Sequence, residues 1–275
     1  MKGVLLFAFD NEQIDYKRMA CICAERVKRF WDLPVCLVTD HGSPGSSRLP
    51  KGITFWKQVE RTERLNTKSY PEYGTAMSYW NANRCDAFDL TPFQQTIVLD
   101  TDFLVSTTNV VDAWNGRGVA LSKTAHSVDG TQLPADAKWI SQKSRIEMYW
   151  ATVLCFDKSP VAAEFFSTWK QVVDLYSVYA SVYGFEASPL RNDFAVTIAL
   201  QKLKGSAENG FFDLPYSIPT LMPGSTLESL DPLIAFKRSE HRDEYDIDSY
   251  CSDLHVLNKK SILECAVDTN LTRSK

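Results

Sequence analysis

The sequence predicts an α/β protein built on a mixed, mostly parallel central sheet flanked by helices. Three observations carry that prediction. Residues 4–9 and 35–39 are short apolar runs either side of an amphipathic stretch, so strand, helix and strand follow within about forty residues, the signature of a parallel βαβ unit. In residues 96–105 (TIVLDTDFLV), Ile97, Val98 and Leu99 mark a strand buried on both faces, directly before a pair of acids. Residues 149–156 (YWATVLCF) form another apolar strand and lead through Ser159-Pro160 into a helix that runs to about residue 178.

At 275 residues, the chain can bury one large core, or one domain with an appended subdomain. A hydrophobic content of 44% and a charged content of 23% describe an ordinary globular protein. The net charge of −4 excludes an overall basic field for nucleic acid or anionic lipid, although a local basic groove stays open. The opening MKGVLLFAFDNEQ has too short an apolar run, and no small-residue cleavage site, for a signal peptide. No run is long enough to cross a bilayer. Seven cysteines without pairwise spacing fit reduced thiols and a cytoplasmic setting, and Cys21-x-Cys23 inside a helix is no zinc site.

The elements follow in order. Residues 11–31 read as a helix with Ile14, Met19, Ile22, Val27 and Phe30 on its apolar face. Pro34 closes the connection and VCLVT (35–39) ends at Asp40. The Gly-x-Gly-x-x-Gly of a dinucleotide fold is absent after the first strand, so nicotinamide and flavin chemistry have little support. Residues 41–52, rich in Gly, Ser and Pro, are an irregular loop, and 53–56 a third strand. Lys57, Arg61, Arg64 and Lys68 recur at roughly helical spacing among Glu60 and Glu63, which usually marks a solvated face. Residues 73–88 read as a helix and 90–92 as a turn into the acid-bearing strand. Beyond it, 110–114 packs back on the sheet and 119–121 is a short strand. Residues 123–148 are a polar excursion broken by Gly130 and Pro134, with Trp139 isolated inside it. That segment is either a lid or acceptor-binding element, or a surface loop. A helix over 189–201 carries Asp193 at its start, 211–221 forms a last core strand and turn, and 239–253 reads as exposed. The polar tail, 266–275, is flexible.

Asp100 and Asp102 carry the chemistry. Carboxylates at i and i+2 point to one side of an extended chain, and a strand end lies on the rim where open α/β sheets bind ligands. Two such charges repel unless a cation holds them together. The alternative is a strand ending in a turn, with one Asp as a helix cap and the other solvated.

The stretch 96–114 (TIVLDTDFLVSTTNVVDAW) resembles the Asp-x-Asp region of GT-A-fold glycosyltransferases, most closely the glycogenin-like, family 8 retaining enzymes. That resemblance implies the GT-A fold, with a Rossmann-like nucleotide-binding half over 1–105 and an acceptor-side half over 106–265 of a single domain. It implies Mn²⁺ or Mg²⁺ on Asp100 and Asp102, with a nucleoside-diphosphate sugar, a UDP-sugar, as donor on Thr101 and its flanking acids. The first strand's end, Phe7, Ala8 and Phe9, leads into the loop that holds the nucleotide. There AFDNEQIDYKRMA (8–20) echoes the family's Ala-x-x-x-Asp-x-Tyr-x-x-Gly-Ala, with Tyr16 on the base-stacking Tyr and Met19 in place of Gly. Tyr16 equally fits a first-turn helix residue. Thr67-Lys68 resembles a Thr-Lys whose Lys reaches the nucleotide-sugar, at a longer spacing from Asp100 than in the family.

Trp150, Ala151 and Thr152 replace the family's Asn, Ser/Ala and Gly, which implies a different sugar or acceptor. Asp193 matches the acid of the Asp-Gln helix, with Phe194 in place of Gln, and would serve sugar hydroxyls or the acceptor. An acid there also stabilises the helix dipole without any chemistry. His255 stands where the family's late His supplies the third metal ligand. Asn258 replaces the following Gly as the usual substitute in a left-handed turn. The Lys-Pro-Trp is absent, and Lys259 or Lys260 would serve the diphosphate. Retention, which the resemblance implies, needs no protein nucleophile; inversion would need a base, and Asp193 is the offer.

Three other readings stand beside this one. A sugar-1-phosphate nucleotidyltransferase would carry a Gly-rich, Arg-containing loop, which FAFDNEQ is not. The opening GVLLFAFDNEQIDY resembles phage-encoded proteins and raises a DNA-modifying glycosyltransferase acting on hydroxylated bases, with Arg61, Arg64, Lys138, Lys143 and Arg145 as a groove. A non-catalytic nucleotide-sugar-binding module is the third, and the intact Asp100, Asp102 and His255 count against it.

Overall fold

The computed structural model describes residues 1–40, 49–60, 66–70, 75–80, 82–133, 146–184, 190–203, 210–231, 233–238 and 247–271; for 66–70, 75–79, 82 and 267–271 it describes the backbone alone. Strand β1 (Lys2–Phe7) alternates between two cores. Val4 and Leu6 join Met19, Cys23 and Val27, while Leu5 and Phe7 join Phe165, Phe166 and Trp169. A strand apolar at successive positions is what burial on both faces demands. Helix α1 (Tyr16–Phe30) starts at Asp15, whose carboxylate accepts the Arg18 N–H at 2.8 Å. Its Met19, Ala20, Cys23, Ala24 and Val27 form one buried stripe. The buried β2 (Val35–Thr39) runs parallel to β1, and β3 (Phe55–Gln58) parallel to β2.

The next segment departs from expectation. Residues 73–88 are not one helix: β4 (Asn66–Tyr70) and β5 (Thr75–Tyr79) form an antiparallel hairpin, followed by a 3-10 turn (Ala82–Asp86) and the short α2 (Ala87–Leu90). Backbone groups that a helix would satisfy internally are satisfied across the two strands. Thr75-Ala76-Met77-Ser78-Tyr79 alternates large and small residues, a two-residue period that a count of apolar residues overlooks. The charge run at helical spacing is also divided. Lys57 lies in β3 and Lys68 in β4, while Arg61 and Arg64 fall outside the described residues.

Strand β6 (Gln95–Leu99) returns beside β1, and after Asp100-Thr101-Asp102 the chain continues as β7 (Phe103–Leu104). Helix α3 (Asn109–Ala113) buries Val110, and β8 (Val119–Ser122) and β9 (Ala125–Ser127) follow. The polar excursion thus begins as a strand; Lys138, Trp139, Lys143 and Arg145 lie outside the described residues. Strand β10 (Trp150–Asp157) precedes α4 (Pro160–Asp174), which Ser159 caps with Pro160 at the first position, and then α5 (Tyr176–Tyr183) and α6 (Asn192–Leu203). The stretch 211–221, expected as one last strand and turn, holds two strands that join different sheets: β11 (Phe211–Asp213) and β12 (Ile218–Leu221). Nor is it last. Strands β13 (Thr226–Ser229), β14 (Ile234–Lys237), β15 (Asp248–Tyr250) and β16 (Leu254–Val256) follow, and α7 (Lys259–Leu271) runs through the first part of the expected tail. No helix among the described residues is long and apolar enough to cross a membrane.

The main sheet has seven strands in the order β11-β8-β10-β6-β1-β2-β3. Strand β10 is antiparallel to both neighbours and every other pair is parallel, the mixed and largely parallel sheet that the sequence predicts. Because β10 opposes both β8 and β6, the C-terminal ends of β1, β2, β6 and β8 share one rim, where sheets of this kind bind ligands. A second sheet, β7-β16-β12-β9, lies at the same end of β6.

The acidic stretch read as exposed ends in a fully buried residue. Asp253 accepts the Ser106 and Thr107 N–H groups at 2.7 and 2.8 Å and the Tyr216 hydroxyl at 3.2 Å. Burial pushes its carboxyl above the usual range, and these hydrogen bonds hold it back in part. It ties the chain after β7 to the chain before β16. Asp253→Ala leaves two backbone donors without an acceptor and is expected to lower the unfolding free energy by about 2–4 kcal/mol. Urea denaturation followed by circular dichroism measures this, and an unchanged midpoint would remove the tie.

Candidate functional site

The site is built where β6 ends. The Asp100 N–H donates to Thr152 O on β10 at 3.0 Å, and the Phe103 N–H folds back to Asp100 O at 3.1 Å. The acids therefore meet through a turn, not by the alternation of an extended strand. Strand β7 leaves the main sheet and pairs antiparallel with β16, Leu104 opposite Leu254 and Phe103 opposite His255. The Val256 N–H closes on Asp102 O at 2.9 Å. One ligand atom each from Asp100, Asp102 and His255 then lies within 4.8 Å of the others. Two carboxylate oxygens and an imidazole nitrogen at that separation fit a divalent ion with ligand bonds of roughly 2–2.5 Å.

Two cations already neighbour the acids. Arg84 (side chain 2% exposed) donates to Asp100 Oδ1 and to Ala151 O, each at 2.6 Å. Lys259 places Nζ 2.5 Å from Asp102 Oδ2, and His255 Nε2 faces Asp102 Oδ1 at 3.6 Å. Burial opposes the charge on Asp102, but Lys259 and His255 outweigh it and hold the carboxyl far below the usual range. Asp100 goes the other way: burial and the neighbouring Asp102 charge push it up against the pull of Arg84.

A cleft beside the acids is lined by Phe7, Phe9, Tyr16, Trp80, Asp100, Thr101, Asp102 and Lys259. The fold thus gathers most of the residues picked from the sequence. Ala8 sits beneath, its N–H on Val38 O at 2.9 Å. Lys260 follows on α7, half-buried, and is not among the described lining residues. The side chain of Lys68 lies outside the described part of the structure. Asp193 stands one layer behind: Oδ1 accepts the Ala151 N–H at 2.8 Å and Oδ2 lies 3.2 Å from Arg191.

Asn258 is not in a left-handed turn, since Asp32 is the one non-glycine residue with positive φ among those described. Asn258 instead donates from Nδ2 to Ser225 O at 2.9 Å and sits just before α7, fixing where Lys259 begins. Arg84 and Trp80 escaped the sequence reading. Both lie in the segment taken for a helix, and a lone Arg and a lone Trp among polar neighbours gave no spacing to follow.

A largely parallel sheet with paired acids at the end of a central strand, and a late imidazole brought to them, has the architecture of the GT-A α/β fold. No family model and no curated protein matches the chain. Among solved structures, an active-site variant of LgtC superposes over 98% of this chain and 96% of its own, at 12% identity and a TM-score of 0.51. Two others fall lower and add no weight. The galactosyltransferase LgtC with donor and acceptor sugar analogs gives 0.46 at 14% identity over 78% and 73% of the two chains. Apo mouse xyloside xylosyltransferase 1 gives 0.44 at 12% identity over 78% and 85%. At such identities the likeness establishes the fold alone.

Two outcomes follow from the geometry. To serve as ligands Asp100 would have to be deprotonated and the His255 imidazole neutral, and the Asp100 carboxyl is raised, so any Mn²⁺ affinity of this group is expected to fall as pH drops from neutral, with protons competing at both. Free-Mn²⁺ EPR titrations across the pH range read this, and a pH-independent affinity would contradict it. Arg84→Ala strips a buried partner from Asp100, itself 20% exposed, and is expected to cost about 2–4 kcal/mol in urea unfolding, below the full buried-pair loss.

Proposed function

We propose that this chain is a metal-dependent glycosyltransferase that moves a sugar from a nucleoside-diphosphate sugar, a UDP-sugar, to an acceptor hydroxyl with retention, in the manner of the glycogenin-like family. The observation that supports it is the grouping of Asp100, Asp102 and His255, with one ligand atom from each within 4.8 Å of the others, beside the cleft that both acids line. These three residues would hold a divalent ion, Mn²⁺ before Mg²⁺ given the imidazole, which would supply positive charge against the leaving diphosphate. Lys259, seated on Asp102, adds its ammonium on the same side, and Lys260 and Lys68 are further cations for the phosphates. Phe7, Phe9, Tyr16 and Trp80 offer an aromatic enclosure for the nucleotide, with Tyr16 as the stacking ring. Ala8 shapes the strand end beneath them, and Thr101 lies between the acids.

Arg84 acts as a fixed counter-charge that keeps Asp100 turned toward the centre. Asp193, with both oxygens engaged, positions Ala151 and through it the carbonyl that holds Arg84. That arrangement suits a front-face transfer without a dedicated base better than an inverting one. Seven cysteines without a disulfide accord with a cytoplasmic setting for the reaction.

Thermal shift against UDP, GDP, CDP and ADP, each with and without Mn²⁺, tests the reading. Stabilisation is expected with UDP and Mn²⁺ together, to be weakened at least about tenfold in apparent affinity by Asp102→Ala, with slow hydrolysis of a UDP-sugar in the absence of acceptor. A chain that no nucleotide stabilises in the presence of Mn²⁺ would end it.

A further inference from the structure

A second pocket, open to solvent and of about 450 Å³, shares no lining residue with the donor cleft. It lies between α3, the strand β9, the segment leading into β12, and the end of β15. Its volume falls within the roughly 300–1,000 Å³ of small-molecule sites. Tyr250 and Pro215 supply apolar surface, while Asn109, Asp112, His126 and Ser217 supply polar atoms.

The floor is preformed. Tyr216 is buried, packs edge-on against Phe103 with ring centroids 6.4 Å apart, and donates its hydroxyl to Asp253. The polar groups are likewise set: His126 Nδ1 lies 2.8 Å from Ser217 Oγ, which orients the ring and directs Nε2 elsewhere. Asp112, at the wall, accepts the Thr108 hydroxyl on Oδ2 at 2.6 Å in an exposed hydrogen bond.

Among the described lining residues there is no Lys or Arg, and one carboxylate is present. A phosphate or carboxylate ligand would meet that charge with no cation in the lining beside it; Lys2, which feels the Asp112 charge, sits outside the lining with its ammonium near Val111 O. Mixed donors and acceptors around a half-buried tyrosine ring suit the opposite kind of molecule, uncharged, with many hydroxyls and one apolar C–H face. The geometry points to a second binding site that takes a neutral saccharide, separate from the donor cleft. It does not depend on the donor chemistry proposed above.

Saturation-transfer NMR and isothermal titration of the full chain, without metal or nucleotide, test this with glucose, galactose, lactose and maltose, and with glucose 1-phosphate as the anionic control. At least one neutral sugar is expected to bind in the millimolar range, about tenfold or more weaker after His126→Ala or Tyr250→Ala. Tyr250→Phe, which keeps the ring packed on Phe236, retains most of the affinity. Asp102→Asn, which keeps an oxygen for the buried Lys259, leaves it unchanged, and glucose 1-phosphate binds more weakly than glucose. The assignment is overturned if no neutral sugar binds, if both alanine variants bind as well as the parent, or if Asp102→Asn abolishes binding while the chain stays folded by circular dichroism, which would move the sugar into the donor cleft. A failed nucleotide and Mn²⁺ thermal shift alters none of these outcomes.

Discussion

The short pairing of β7 with β16 is the constraint on which the candidate site depends. It involves few residues, yet it carries His255 to the acids and lets the Val256 N–H close on Asp102 O. Lys259, 157 positions beyond Asp102, arrives with it because Asn258 anchors the start of α7. Were that pairing lost, Asp102 would be a buried carboxylate without a partner, among the costliest arrangements a protein interior can hold. Asp253 reinforces the same junction from below by taking two backbone N–H groups of the chain after β7.

Around this junction the charges divide unequally. Asp102 lies between an ammonium and an imidazole and stays ionised far into the acid range, while Asp100 faces Arg84 but carries the burden of burial and of its neighbour. Arg84 is held in turn by the Ala151 carbonyl, and the Ala151 N–H by Asp193. The result is a run of hydrogen bonds from α6 through β10 to the first acid. It explains how a carboxylate near the protein surface can keep one orientation, since each link removes a rotation that a ligand would otherwise have to freeze out.

How far this was legible follows from the range of each interaction. Strands β1, β2, β6 and β10 and helix α1 announce themselves because their apolar periods are local and strong, and Asp100 and Asp102 could be picked from a short motif, His255 only from the place of a late His in the family the chain resembles. The β4–β5 hairpin could not, because its apolar count suits either structure and cross-strand pairing decides between them. Asp253 read as one more acid in an acidic stretch, although its neighbours in space, Ser106, Thr107 and Tyr216, lie far from it in the chain. Trp80 and Arg84 were hidden for the same reason, and Asn258 took the role of an anchor where a turn was expected.

By itself, the sequence determined an α/β architecture, its central strands, and an acid pair at the end of one of them, since runs of buried residues and adjacent charges are properties of neighbouring positions. Only the tertiary structure decided that the acids close by a turn, that Arg84 and Lys259 compensate them, and that a late imidazole stands beside them. Those outcomes rest on strand pairings and buried ion pairs between distant segments, whose energies exist only once the chain has brought the partners together and excluded water from between them.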